Sequence, residues 1–216
     1  TRLRTVTGVQ TCALPIFSHR KNIPNLNANK NFSFEQATGD WILCLDADEV
    51  IPEKLKNEIQ SLLTRNDTYN GFLLSRKNFF FGKWLRFGGQ FPDYQLRLFK
   101  NGKGKFAEQH VHERIQINGR IGNISEPFEH YPYKTISQYL QKLDFYTTFQ
   151  AEKYREENLS ISLISSLQYL FLIPLKRFLS RYILKRGFQD GVAGFIACFF
   201  DTATQIISYG KYFLII

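Results

Sequence analysis

Asp46 and Asp48 stand one residue apart, directly after the apolar run Trp41 to Leu45 and directly before Glu49. On an extended chain, residues two apart point to the same side, so a strand running on through Asp46-Ala47-Asp48 presents both carboxylates to one spot beyond its end. Hard oxygen ligands of this kind suit Mg2+ or Mn2+, and a divalent ion placed there neutralises a departing diphosphate. The plainer reading is a solvated acidic loop that favours the start of the next helix through the helix dipole. Glu113 is the second candidate. Flanked by His110 and His112 in a mostly apolar stretch, it suits taking a proton from an attacking hydroxyl, or is simply a surface strand residue. The two histidines with Glu113 also permit a hydrolytic metal site, although their spacing is no helix-borne zinc pattern. His130 offers a further metal ligand or a structural imidazole. Arg97, inside QLRLFK, offers a guanidinium to a diphosphate or a surface ion pair. In FGKWLRFGGQFPDYQ, Trp84, Phe87 and Phe91 surround Gly88-Gly89, which suits stacking on a sugar or closing over a site, and equally suits plain core packing.

The elements that must position these groups follow from periodicity. NFSFEQATGD reads as a short helix ended by Gly39. WILCL is a continuous apolar run of the kind found in a fully buried strand of a parallel sheet, whose carboxyl end is where ligands bind. Pro52 opens a helical pattern with Leu55, Ile59, Leu62 and Leu63 on one side. Tyr69 to Phe81 and Tyr94 to Lys100 read as strands rich in aromatic and branched residues, with NGKG at 101–104 as a turn. Residues 106–117 and 120–128 read as short strands around Asn118-Gly119. Thr135 to Glu157 has the spacing of an amphipathic helix.

The tail differs in kind. Residues 159–184 are strongly apolar but interrupted by Pro174, and Arg177, Arg181 and Lys185 follow at four-residue steps. The expectation is a basic amphipathic helix lying in the headgroup plane rather than a crossing helix, which needs about 20 uninterrupted apolar residues; the plainer reading is a core helix with a solvated basic face. The chain of 216 residues is 44% hydrophobic and 16% aromatic, which excludes a disordered polymer. Its net charge of +9 attracts polyanions without choosing among nucleotide phosphates, anionic lipid and nucleic acid. A non-catalytic basic binding module for membranes or nucleic acid is therefore the rival to an enzyme. Cys12, Cys44 and Cys198 have no paired spacing and read as reduced. Residues 1–16 have no usable periodicity, the chain contains no Met, and this stretch reads as a non-native leader.

The segments ANKNFSFEQATGDWILCLDADEVIP, GGQFPDYQLRLFK, VHERI, EHY and GFQDGVAGF together resemble the family 2 glycosyltransferases that add sugars to lipopolysaccharide core and related surface glycans, over residues 27–216. The resemblance implies an α/β chain: a partial GT-A (nucleotide-diphospho-sugar transferase) fold over 17–133 and a C-terminal helical, membrane-associating extension over 134–216. It implies a nucleotide-sugar donor, a lipid-linked or lipopolysaccharide acceptor, Mg2+ or Mn2+, inversion at the anomeric carbon, no nucleic acid partner, and work at the cytoplasmic face of the bacterial inner membrane. Carried over, Glu113 is the base, Asp46 joins it in the catalytic set and approaches the ribose and donor sugar, and Arg97 lies near the diphosphate. Asp48 and His130 are the metal ligands, and Trp84 and Asp93 the acceptor or sugar contacts. Enzymes of this type begin with a strand, helix and strand that hold the base, which nothing before Asn27 supplies, so the chain reads as N-terminally truncated.

Overall fold

The computed structural model describes residues 25–65, 68–108 and 113–215. The leader assigned to 1–16, the histidines His110 and His112, and Cys12 lie outside the described residues. The fold is mixed α/β of the GT-A kind with a helical C-terminal region, and it divides into two compact units.

The first unit takes in residues up to Arg76 and Asp93–His130. Its first helix, α1 (Leu26–Glu35), starts at Asn25, whose side-chain oxygen accepts the N–H groups of Asn27 and Ala28 and so satisfies donors that have no partner inside the helix. It begins five residues before the stretch expected from sequence and stops short of Gly39. Next come β1 (Trp41–Leu43), β2 (Glu49–Val50) and α2 (Glu53–Leu63). Pro52 stands just outside the first turn of α2, as its position in the sequence predicts. Then follow β3 (Gly71–Phe80), β4 (Lys83–Trp84), β5 (Asp93–Lys100), β6 (Gly104–Lys105), β7 (Gln116–Ile117) and β8 (Ile121–Tyr133). The main sheet has the order β1-β5-β3-β8-β2.

Two expectations change here. β1 is not seated in parallel pairing among the described residues: it runs antiparallel to β5, with Ile42 opposite Phe99. Among the described residues of the stretch expected as a strand over 106–117, the pairing is that of Gln116–Ile117 with β6. Side chains from the sheet feed two clusters. Phe34 of α1 packs with Ile42, Leu96, Phe99, Phe106 and Ile115. Leu55 and Ile59 of α2 pack with Phe72, Leu74, Leu98, Ile124 and Phe128. Leu55, Leu74 and Phe128 are wholly excluded from water, each worth about 1.5–3 kcal/mol of burial. These clusters fix α1 and α2 against the sheet that carries the acidic turn.

The second unit is Lys77–Pro92 with Tyr131–Ile216. Residues 77–92, assigned from sequence to the catalytic region, group with the C-terminal helices, and the main boundary falls near 130. Here β4 folds back on the end of β3, Trp84 opposite Phe79. Helix α3 (Ile136–Glu156) is capped by the Thr135 hydroxyl. It is followed by α4 (Leu163–Leu167), α5 (Ile173–Leu179) and α6 (Gly191–Ile215). Pro174 does not break the run between α4 and α5. A π-helical turn over Gln168–Leu172 precedes it, in which Ile173 N–H reaches the carbonyl of Gln168, and this wider turn absorbs the donor and the space that proline removes. A second π turn spans Ser180–Leu184. Ala151 and Tyr154 of α3 meet Tyr209 and Tyr212 of α6.

Candidate active site

The acid pair lies in a turn, not on a strand. β1 stops at Leu43; Asp46 N–H donates to Glu49 Oε2 at 2.9 Å and Glu49 N–H donates to the Asp46 carbonyl at 3.0 Å. A side chain thus takes the backbone group that a ladder would have used, which is why the same-side geometry of an extended chain does not apply. The two carboxylates instead have separate partners. Asp46 Oδ1 meets Lys30 Nζ at 2.6 Å and its Oδ2 meets Arg97 Nη2 at 3.1 Å. Asp48 Oδ2 lies 3.6 Å from His130 Nε2. His130 stands directly opposite Glu49 in the antiparallel register of β2 and β8, so the turn and the His130 imidazole share one edge of the sheet.

Arg97 owes its place to a bulge. Leu98 of β5 is opposite Phe72 and Leu96 is opposite Leu73, which leaves Arg97 the extra residue, and a bulge re-aims the side chain it carries. Arg97 is buried, and its Nη2 is shared by Asp46 and the fully enclosed Glu49. Arg76 lies 4.0 Å from Glu49 and donates from Nε and Nη2 to Asp93 Oδ2 at 2.9 and 2.6 Å. Asp93 Oδ1 in turn accepts from Gln95 at 2.8 Å. Six side chains, Asp93, Arg76, Glu49, Arg97, Asp46 and Lys30, therefore alternate in sign through the unit. A buried charge survives only when paired, and here each has an opposite neighbour on the chain. Burial pushes the Asp46 carboxyl up, but the Lys30 ammonium and Arg97 guanidinium outweigh it and hold the group below the usual aspartate range. Burial works to lower Arg97, and the carboxylates of Glu49 and Asp46 more than reverse that. Burial pushes the neighbouring Cys44 thiol up.

Helix α1 joins Glu113 to the acid turn. Glu113 Oε2 accepts from Asn27 Nδ2 at 3.2 Å and from Glu108 N–H at 2.6 Å. Asn27 and Lys30 are three apart on the helix, hence neighbours on one face with Cβ atoms about 5–6 Å from each other. One turn of α1 thus grips Glu113 with one residue and Asp46 with the next, and two carboxylates 67 positions apart in the chain share a support.

Residues 13–131 match Glycosyl transferase family 2. The chain belongs to this family. Among curated proteins it is similar to the lipopolysaccharide core biosynthesis glycosyltransferase LpsC of Rhizobium meliloti (strain 1021), 27% identical over 169 residues that cover 77% of this chain and 61% of the relative. It is also similar to an uncharacterised glycosyltransferase of Rickettsia conorii, 23% identical over 178 residues, covering 77% of this chain and 62% of that one. The chain spans about three-fifths of the length of the relatives it matches.

For this family 2 chain, the residues expected to act fall into three places. Asp46, Asp48, Arg97 and His130 gather at the acidic turn, Asp93 is linked to it through Arg76, and Glu113 is tied to it through α1. Trp84 belongs to the second unit, where its ring is flanked by Lys77 Nζ at 4.8 Å and the Arg86 guanidinium at 4.4 Å from the centroid. The loop after it is fastened rather than hinged. Gly88, at φ 65°, donates to the Lys185 carbonyl at 2.8 Å, and the N–H groups of Arg86 and Phe87 donate to the buried Asp190 at 2.9–3.1 Å. Sequence reasoning missed Asn27, Lys30, Glu49 and Asp190 as individual residues. Glu49 and Lys30 sit inside the segment that carried the family resemblance, but their partners are distant in sequence, so no local spacing marks them.

Among the described residues, no three of His, Cys, Asp and Glu close around a point that would hold a metal by themselves. Asp48 and His130 supply one oxygen and one nitrogen at the edge of the turn, a donor set that fits a divalent ion completed by substrate phosphates and water.

Proposed function

We propose that the parent protein transfers a sugar from a nucleotide-sugar donor to a lipid-linked or lipopolysaccharide acceptor, with inversion and with Mg2+ or Mn2+, at the cytoplasmic face of the bacterial inner membrane. The observation that carries this reading is the joint anchoring of Glu113 and Asp46 on one turn of α1, beside the Asp48–His130 pair, in a chain of family 2. Asp48 and His130 would hold the ion, which when bound would offset charge on the departing diphosphate. Glu113, oriented by Asn27 and the Glu108 backbone, takes the proton of the acceptor hydroxyl. The hydroxyl oxygen bonds to the anomeric carbon on the face opposite the diphosphate, whose carbon–oxygen bond breaks, and that in-line geometry inverts the centre. Asp46 meets the donor ribose and sugar. Arg97, buried beside it, sets the direction of the Asp46 carboxylate and brings positive charge near the diphosphate. Asp93 and Trp84 contribute acceptor or sugar contacts.

The test is sugar transfer by the full-length enzyme carrying Asp48→Ala or Glu113→Gln. Each is expected to lower kcat by at least about two orders of magnitude, and Asp48→Ala is expected to abolish the response to added Mn2+. Unchanged transfer in Asp48→Ala removes the metal role; unchanged transfer in Glu113→Gln removes the base.

A further inference from the structure

The second unit carries two apolar faces that are exposed among the described residues. Along the helix from 163 to 184, Leu163, Leu167, Phe171, Leu175, Leu179 and Ile183 recur every fourth residue, and all six are exposed. Steps of four overrun an α turn of 3.6 residues and fall short of a π turn of about 4.4. The two π turns, set among α-helical stretches, cancel the drift, so the six side chains stay in one line for five turns. The wider turn that accommodates Pro174 therefore also helps to straighten this stripe. On α6 the outward residues are Val192, Phe195, Phe199, Ile206 and Phe213, where an ordinary surface helix would be polar. Residues 187–214 form a helix with mean hydropathy 1.3 in its most apolar window, of which only 22% is buried.

We propose that these two faces form one docking surface for an anionic bilayer, with both helices lying in the headgroup plane. Charge selects the occupant. Residues 77–92 and 131–216 hold 13 Lys and Arg against six Asp and Glu, which is +7 of the chain's +9. A second copy of the chain brought against the same faces would meet a like surplus, whereas anionic lipid meets an opposite one. The internal face of the helix pair selects the orientation. Arg177 donates to both oxygens of Asp201 at 2.5 and 2.9 Å, and Arg181 lies 3.2 Å from it, so two of the three basic residues expected to face the headgroups are ion-paired within the unit. Lys176, Lys185 and Arg186 are exposed cations at this end, beside the exposed but paired Arg177. By length and composition α6 is able to cross a membrane, but its other side is bound to α3: Phe200 stacks on Tyr139, and Lys211 meets Asp144 at 2.6 Å. α3 carries Lys142, Asp144, Glu152, Lys153, Arg155 and Glu156, and a spanning α6 would drag those charges into hydrocarbon. Lying flat buries the apolar stripes and leaves α3 in water. The use made of the surface, bringing a lipid-borne acceptor to the enzyme, rests on the function proposed above; the surface itself does not.

The test is flotation of the purified full chain with vesicles of phosphatidylglycerol and phosphatidylethanolamine, against vesicles of phosphatidylcholine, with no donor or metal present. The expected result is flotation with the anionic vesicles, weakened by salt and reversed by alkaline carbonate. Phe171→Gln/Leu175→Gln/Phe199→Gln, all on outward faces, is expected to lower partitioning at least about tenfold with unchanged far-ultraviolet circular dichroism. The proposal is overturned if the wild type does not float, if the triple variant floats equally, if the wild type resists carbonate as a spanning helix does, or if light scattering shows a dimer that the triple variant abolishes. Flotation that survives while Asp48→Ala retains full sugar transfer sinks the metal reading and leaves the surface standing. Loss of transfer to a vesicle-borne acceptor in the triple variant, with transfer to a water-soluble acceptor intact, supports acceptor delivery; equal rates on both acceptors refute it.

Discussion

Lys30→Met isolates the contact that ties α1 to the acidic turn. The Lys30 ammonium lies 2.6 Å from Asp46 Oδ1, with the two side chains 17% and 37% exposed. Methionine keeps the stem beside the Phe106 ring, whose centroid is 5.6 Å from Nζ, so the substitution removes charge more than volume. A charge-assisted hydrogen bond is worth about 1.5–3 kcal/mol, and the access of water to Asp46 reduces that to about 1 kcal/mol. With a urea m-value of about 2 kcal/mol/M, the midpoint falls by about 0.5 M near neutral pH. The pH dependence gives the sharper check. The folded-state pKa of Asp46 lies below its unfolded value, so the stabilisation is fully present above the ordinary aspartate range and is lost as pH falls through the lowered folded-state value. The gap between wild type and Lys30→Met should therefore be widest at neutral pH and close in strong acid. Urea titrations at both ends measure it. A gap that is the same at both, or absent near neutral pH, refutes the assignment of this pair as an energetic link.

Two further outcomes are expected in the second unit. Gly194→Ala places a Cβ 2.0 Å from the Gly187 carbonyl oxygen and 2.8 Å from Asp190 Cβ; the helix-propensity gain of about 1 kcal/mol is outweighed by overpacking of about 1–3 kcal/mol or more, and thermal unfolding should show a lower Tm. Asp190→Ala strips the acceptor from the Arg86 and Phe87 N–H groups and should cost about 1–3 kcal/mol, with faster amide exchange at those two positions. Asp190→Asn keeps one acceptor oxygen and should cost less.

Much of the local structure was legible because local forces decide it. Pro52 and the Leu55/Ile59 spacing predicted α2; the branched and aromatic runs predicted β3 and β5; NGKG predicted the turn between β5 and β6; and the periodic apolar residues from Thr135 to Glu157 predicted α3. The position of the acidic residues after an apolar run was legible too, and so was the likeness to family 2. Less could be read wherever a feature depends on what another segment supplies. The strand-borne acid pair became a turn because Glu49 reaches back to the Asp46 N–H. The proline read as an interruption became a π turn inside a continuous helix, because a backbone able to shift register by one residue need not break. The basic stripe of Arg177 and Arg181 pairs with Asp201, 20 or more residues away in the chain.

By itself the sequence determined which residues bear charge, which stretches alternate or wind, and therefore which elements form and which chemistry their side chains have to offer. Only the tertiary structure decided the direction of Arg97, since a bulge is a mismatch between two strands and has no existence in either one alone. It alone decided that Asn27 and Lys30 hold Glu113 and Asp46. Those contacts join positions that the chain separates by 16 to 86 residues, and at such distances composition and periodicity specify which charges need partners, while the packing of the sheet and helices determines which partners they find.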